Sequence, residues 1–177
     1  GKDDAVAIPS LTYDGSHPIT LEAVVQSPSP LQDGEVRCVL GNRAEKGGIG
    51  LDLRWYAGRD PVWCLGAGDG GALRFAEASQ MSFPRRTVHV AGVWNGRSLC
   101  LFINGKAASA PEPCSTPKPS TLPFIVGAVS SMTTSFLAGS IEAVRISRGA
   151  RYTQDFALDE VLPFRTDKDT LCLLDFE

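Results

Sequence analysis

The feature that most constrains this chain is the spacing of its Asx-Gly pairs: Asp14-Gly15, Asp33-Gly34, Asp69-Gly70, Asn95-Gly96 and Asn104-Gly105. Asn, Asp and Gly reach the positive φ of tight hairpin turns at little cost, so each pair marks a reversal of the chain. Val88-His89-Val90-Ala91-Gly92-Val93-Trp94 precedes one pair, and Arg97-Ser98-Leu99-Cys100-Leu101-Phe102-Ile103 fills the gap to the next. That gap admits one short strand, which predicts an up-and-down antiparallel meander. Apolar or alternating runs between turn residues predict further strands at 5–8, 19–26, 35–40, 49–56, 62–65, 73–76, 124–127, 136–147 and 170–176. Leu51-Asp52-Leu53-Arg54-Trp55 alternates like a strand with one buried and one wet face, whereas Ile19-Thr20-Leu21-Glu22-Ala23-Val24-Val25 reads as packed on both faces. No segment keeps a 3.6-residue apolar stripe over three turns, and only 148–156 and 159–161 could hold a short helical turn. An all-β antiparallel sandwich or barrel follows.

Composition narrows the class. The chain carries 17 Lys+Arg against 20 Asp+Glu, a net charge of −3, without the basic excess that phosphate neutralisation requires. Nucleic acid is therefore not an expected partner. With 43% hydrophobic residues the chain can bury a core rather than stay disordered. No apolar run approaches the ~20 residues that span a bilayer, so this segment is not expected to insert into a membrane. Pro111, Pro113, Pro117, Pro119 and Pro123 predict that 110–123 is an exposed surface loop within a single domain of residues 1–177. A start at Gly1 rather than Met, with polar Lys2-Asp3-Asp4 after it, is expected of an excised or processed part of a larger multidomain protein.

Motifs for chemistry are sparse. Gly66-Ala67-Gly68-Asp69-Gly70-Gly71 matches GxGxxG, but a strand-like Ala72-Leu73-Arg74-Phe75 follows where a dinucleotide fold needs a helix. It reads as a hairpin loop. His17, beside Pro18, reads as a turn residue and His89 as a structural histidine, with no GxSxG near either. Cys38, Cys64, Cys100, Cys114 and Cys172 contain no CxxC and read mainly as small buried hydrophobes, with a Cys38–Cys64 disulfide as an alternative. No strand carries acids two or four residues apart, as a single-strand glycosidase pair would need. Two strands giving one acid each stays open.

Several phrases resemble the laminin-G-like, concanavalin A-like jelly-roll modules. They are Val6-Ala7-Ile8-Pro9-Ser10-Leu11, Asp14-Gly15-Ser16-His17-Pro18-Ile19-Thr20-Leu21-Glu22-Ala23, and His89-Val90-Ala91-Gly92-Val93-Trp94-Asn95-Gly96. Leu101-Phe102-Ile103-Asn104-Gly105-Lys106, Leu137-Ala138-Gly139-Ser140-Ile141-Glu142-Ala143-Val144-Arg145-Ile146-Ser147 and the closing 167–177 continue the series in order. The chain departs from the family pattern at Val24, usually Trp, at Thr87, usually aromatic, and at Ala143, usually an acid. The resemblance implies two antiparallel sheets packed face to face, in a binding module appended to larger bacterial proteins at the cell surface or outside the cytoplasm. It also implies a structural calcium in many relatives, for which Asp14 and Asp175 are the candidate donors here.

The expected function is a non-catalytic module that recognises carbohydrate or a protein surface and positions its parent protein. A glycoside hydrolase or polysaccharide lyase on the same sandwich, or a structural spacer, are the alternatives. Sugar rings stack on aromatic faces while acids and arginines take their hydroxyls. The densest such constellation, and the predicted ligand platform, is Trp55 and Tyr56 with Arg59, Asp60 and Trp63.

Overall fold

The computed structural model of the chain describes residues 4–26, 36–44, 49–57, 61–78, 87–129, 132 and 134–176. Within them thirteen strands make two antiparallel sheets. The first runs, in spatial order, β1 (Val6–Ile8), β11 (Phe124–Val126), β3 (Val36–Gly41), β4 (Ile49–Ala57), β5 (Pro61–Asp69) and β6 (Leu73–Glu77). The second runs β10 (Glu112–Pro113), β8 (Ser98–Ile103), β7 (Val88–Trp94), β2 (Ile19–Gln26), β12 (Ser140–Arg148) and β13 (Thr170–Asp175), with β9 (Lys106–Ala107) paired to β8. A single 3-10 turn, Leu158–Glu160, is the helical element of the described residues. The architecture is the concanavalin A-like β-sandwich that the turn spacing and the family phrases anticipate.

Alternation along the strands builds the core. Ile19, Leu21, Ala23 and Val25 of β2 face Leu51, Leu53, Trp63 and Leu65 of the other sheet in one apolar cluster. Gly92 lets the sheets approach, since a Cβ there would lie 2.7 Å from Leu65 Cδ1. At the Asn104-Gly105 turn both residues have positive φ (49° and 76°), and the Phe156 carbonyl presses on Gly105 so closely that any side chain would collide. The turn thus anchors the chain after β12 as well as reversing β8.

Two boundaries differ from expectation by more than a residue, each for a packing reason. β5 continues four residues past Leu65, because Gly66 leaves room for the Asp52 carboxylate and the Phe75 ring to lie across it. Residues 136–139 are not strand: Phe136 O accepts from Arg37 Nη1 (3.1 Å) and Leu137 N donates to Gly127 O (2.8 Å). This stretch therefore hugs the first sheet before β12 joins the second.

The proline-rich segment lies at the surface with most of its side chains exposed, and it is packed down as a strap, with Cys114, Pro117 and Ser120 buried at every third position. That is the period of a polyproline helix, which uses no internal hydrogen bonds and leaves its backbone free for other partners. Cys114 N donates to Arg97 O (2.9 Å) and Lys118 N to Gly68 O (2.8 Å), tying the strap to both sheets.

Placing Trp63 in the core has a measurable consequence. Trp63→Ala removes a fully buried ring and is expected to cost about 3–5 kcal/mol in urea unfolding. Tyr56→Ala, at a ring 40% exposed, is expected to cost far less; equal losses would contradict the inward placement of Trp63.

Candidate functional site

Among the described residues the predicted aromatic platform is not brought together at the surface. Trp55 and Trp63 face each other across β4 and β5 with ring centroids 5.2 Å apart, and are only 4% and 0% exposed. They belong to the core because β4 points Leu51, Leu53 and Trp55 to the same side. Tyr56 lies on the opposite, outer face of that sheet, and Arg59 and Asp60 fall outside the described residues. The expected wet face of β4 is covered as well: Asp52 is 2% exposed, 2.9 Å from Arg43 Nε and 3.6 Å from Arg54 Nη1. The Arg54 guanidinium sits 4.5 Å over the Phe75 ring.

The strand register places the cysteine and calcium candidates. Cys38, Arg54 and Cys64 stand side by side on β3, β4 and β5, so a whole strand separates the two thiols. Two strand spacings, roughly 9.5 Å, exceed the reach of a disulfide. All five cysteines are free thiols, and burial pushes that of Cys64 up to about 11, which keeps it unreactive at neutral pH. Asp14 Oδ1 accepts from Ser16 N (2.9 Å) and caps its own turn just before β2. Asp175 lies toward the other end of that strand, opposite Ala143 and, through it, Val24. The two carboxylates do not converge on one calcium site. Among the described residues no three His, Cys, Asp or Glu side chains are grouped to hold a metal.

What the structure does assemble is a buried polar network on the outer face of the second sheet. Glu22, 0% exposed, accepts from Arg145 Nε (2.8 Å), Tyr152 OH (2.7 Å) and His89 Nε2 (3.1 Å). Glu22 and Arg145 are direct cross-strand neighbours, and His89 is diagonal to Glu22 on β7, so register alone sets three of the four members together. Tyr152 arrives from the segment after β12, stacked on Phe156 with centroids 3.8 Å apart. Burial alone would push the Glu22 carboxyl up. The hydrogen bonds from His89 and Arg145, with the Arg145 charge, outweigh it and hold the group below its usual range. Arg151 grips Asp167 with two hydrogen bonds (2.8 and 2.7 Å), holding that carboxyl well below its ordinary value and closing the segment on itself.

This segment shapes two neighbouring depressions. Leu162 and Pro163 form the ridge between them. On one side a polar hollow of about 440 Å³ is rimmed by Arg145, Arg151, Asp159 and Asp167. On the other, an open groove of about 490 Å³ has Val24 and Ala143 as floor and Phe164, Leu173 and Phe176 as walls. Phe176 is 40% exposed, and the carboxylates of Glu142 and Asp175 stand in solvent at the rim. Apolar surface beside solvent-facing acceptors makes this the candidate binding site. Of the site residues expected from the sequence, Asp175 is found there, brought in by the sheet edge. The small side chains of Val24 and Ala143 leave the floor open.

The Glu22 network makes stability depend on pH in a defined direction. A carboxyl held low in the folded state stabilises it above the unfolded value near 4.5, and the contribution is lost as pH falls below that. Glu22→Gln is expected to cost about 3–5 kcal/mol at neutral pH, because Arg145 keeps a buried charge without its partner. The variant should also flatten the acid limb of a thermal-melt series; an unchanged acid limb would refute this account of the network.

Comparisons with known proteins agree with this architecture. No curated protein matches the chain. Among solved structures, a protein of Bacteroides ovatus ATCC 8483, named provisionally for carbohydrate binding, is similar with a TM-score of 0.68 at 14% identity over 97% of this chain and 48% of its own. The enzymatically active domain of bacteriophage CBA120 tailspike protein 2 gives 0.67 at 12% identity over 98% and 28%. The Ruminococcus gnavus sialidase module CBM40, solved with α2,3-sialyllactose, gives 0.52 at 16% over 90% and 96%. The chain thus spans about half or less of the first two. At these identities the likeness shows the fold alone, and that fold serves binders and enzymes alike. A family model described as the concanavalin A-like lectin/glucanases superfamily matches residues 1–156, and with sandwich, strand order and family phrases in agreement, the chain belongs to that laminin G-type family.

Proposed function

We propose that the chain is a non-catalytic carbohydrate-binding module acting outside the cytoplasm to position a larger protein, with the groove at Phe164, Leu173 and Phe176 as its ligand site. The observation that carries this reading is the groove's chemistry. Its walls offer apolar and aromatic surface to the C–H face of a sugar, while Glu142 and Asp175 offer acceptors to hydroxyls. Two carboxylates at the rim repel an anionic sugar, so the favoured ligand is a neutral glycan.

The two carboxylates in one groove also raise the hydrolase reading. A glycosidase needs one carboxyl kept protonated by an apolar surround. Glu142 and Asp175 are both solvent-exposed. Elsewhere among the described residues every carboxyl displaced from its ordinary range is displaced downward. Ser16 does this to Asp14, Ala72 to Asp69, Ala107 to Asp155 and Arg151 to Asp167 by donating hydrogen bonds. Glu22 is held low by His89 and Arg145 against its burial. This pattern supports holding and recognition over proton donation.

An array of neutral oligosaccharides, followed by titration calorimetry on the hits, tests the reading. Asp175→Asn and Phe176→Ala are each expected to weaken binding about tenfold, the scale of one charge-assisted hydrogen bond or one stacked ring. Release of reducing ends by the unaltered protein would favour the hydrolase. A blank array at high protein concentration would remove the carbohydrate reading.

A further inference from the structure

We propose that the free edge of β13 is a strand-addition site for an extended peptide segment carrying a basic side chain. β13 closes the second sheet, pairing with β12 on one side only. Phe176 N donates to Glu142 O, so by alternation Leu174 and Cys172 also turn their backbone groups toward β12. Leu173 and Asp175 turn theirs outward, and they bond no other element of the described residues.

The other edges are protected in the ways proteins discourage pairing. β10 is two residues long and contains Pro113, β1 is three residues long and is followed by Pro9, and β6 carries Arg74 and Glu77. β13 is six residues long, holds no Pro, Lys or Arg, and leaves Leu171, Cys172, Leu173 and Leu174 half-buried in a row. An edge of that length, apolar content and open backbone offers a template for another strand.

Charge decides the occupant. On the outer face an added strand would set its side chains beside Leu173 and Asp175, with Glu142 nearby in the same groove. A Lys or Arg opposite Asp175 and, two positions on, a side chain that lays an aliphatic stem along Leu173 satisfy those neighbours. A second copy of the chain would not. Symmetric antiparallel pairing would put each Asp175 opposite the other copy's Leu173 and make the two carboxylates diagonal neighbours on one face.

The test measures fluorescence anisotropy of labelled acetyl-Val-Lys-Val-Lys-Val-Thr amide against the 177-residue protein. The probe is compared with its Glu-for-Lys counterpart and with analogues N-methylated either at the Lys or at the Val residues. The expected result is saturable binding of the Lys peptide, weakened about tenfold or more by N-methylation at Lys but not at Val. Asp175→Lys should reverse the preference toward the Glu peptide, and this charge swap at an exposed position tests the idea even if Leu173→Pro, which blocks pairing directly, fails to fold. Three results would each overturn the proposal: no saturable binding, equal binding of the Lys-methylated peptide, or a protein dimer that excludes the peptide.

Discussion

The rest of the second sheet's outer face depends on one buried carboxylate. Glu22 sits in the middle strand of that sheet with no exposure, and it is acceptable there only because three donors from separate segments converge on it. Those donors lie on β7, on β12 and in the segment after β12, so a single charge couples parts of the chain more than 60 residues apart. The pairing is specific rather than merely stabilising, because a hydrophobic replacement could fill the volume but could not tell Tyr152 where to dock. With Tyr152 docked, Phe156 stacks on it and packs against the edge of His89. Phe164 takes its place under the Arg145 guanidinium, 4.7 Å away. The ridge at Leu162–Pro163 and both depressions follow from that docking.

The two sheets therefore differ in kind. The outer face of the first is held by Asp52 with Arg43 and Arg54, pressed over glycine positions that make room for it. The outer face of the second is covered by a segment of chain, which leaves the apolar groove open where it departs toward β13. In a family whose fold hosts binders and hydrolases alike, the inner acids of this chain are committed to holding elements together. The groove at the sheet edge is where acids meet solvent beside apolar surface.

Much of the fold was legible because hairpin turns are a local matter. Asn95-Gly96 and Asn104-Gly105 need positive φ whatever lies around them, and β2 begins and ends where its apolar run does. The packing of β2 on both faces could also be read, since a strand with few polar residues has no face to give to water. The site was far less legible. Trp55 and Trp63 looked like a platform because aromatic residues near polar ones resemble one in sequence. Their side-chain parity along β4 and β5, which turns them inward, depends on which face the sheet buries. Asp52 and Arg54 misled for the same reason, alternating like solvent-facing residues while lying under Arg43 and over Phe75. The prolines imply an extended segment, but they do not show which of its residues are buried against the sheets.

The sequence by itself determined where the chain reverses, that it forms short antiparallel strands, and to which family it belongs, because turn chemistry and apolar alternation act within a few residues. Only the tertiary structure decided which charges are buried and which face solvent. Glu22 and Glu142 are each an isolated acid in an apolar strand, yet one is locked among His89, Arg145 and Tyr152 while the other stands at the rim of a groove. The difference arises from partners more than 60 residues away in one case and a sheet edge in the other. Desolvation and pairing are properties of the assembled surroundings, which no local pattern encodes.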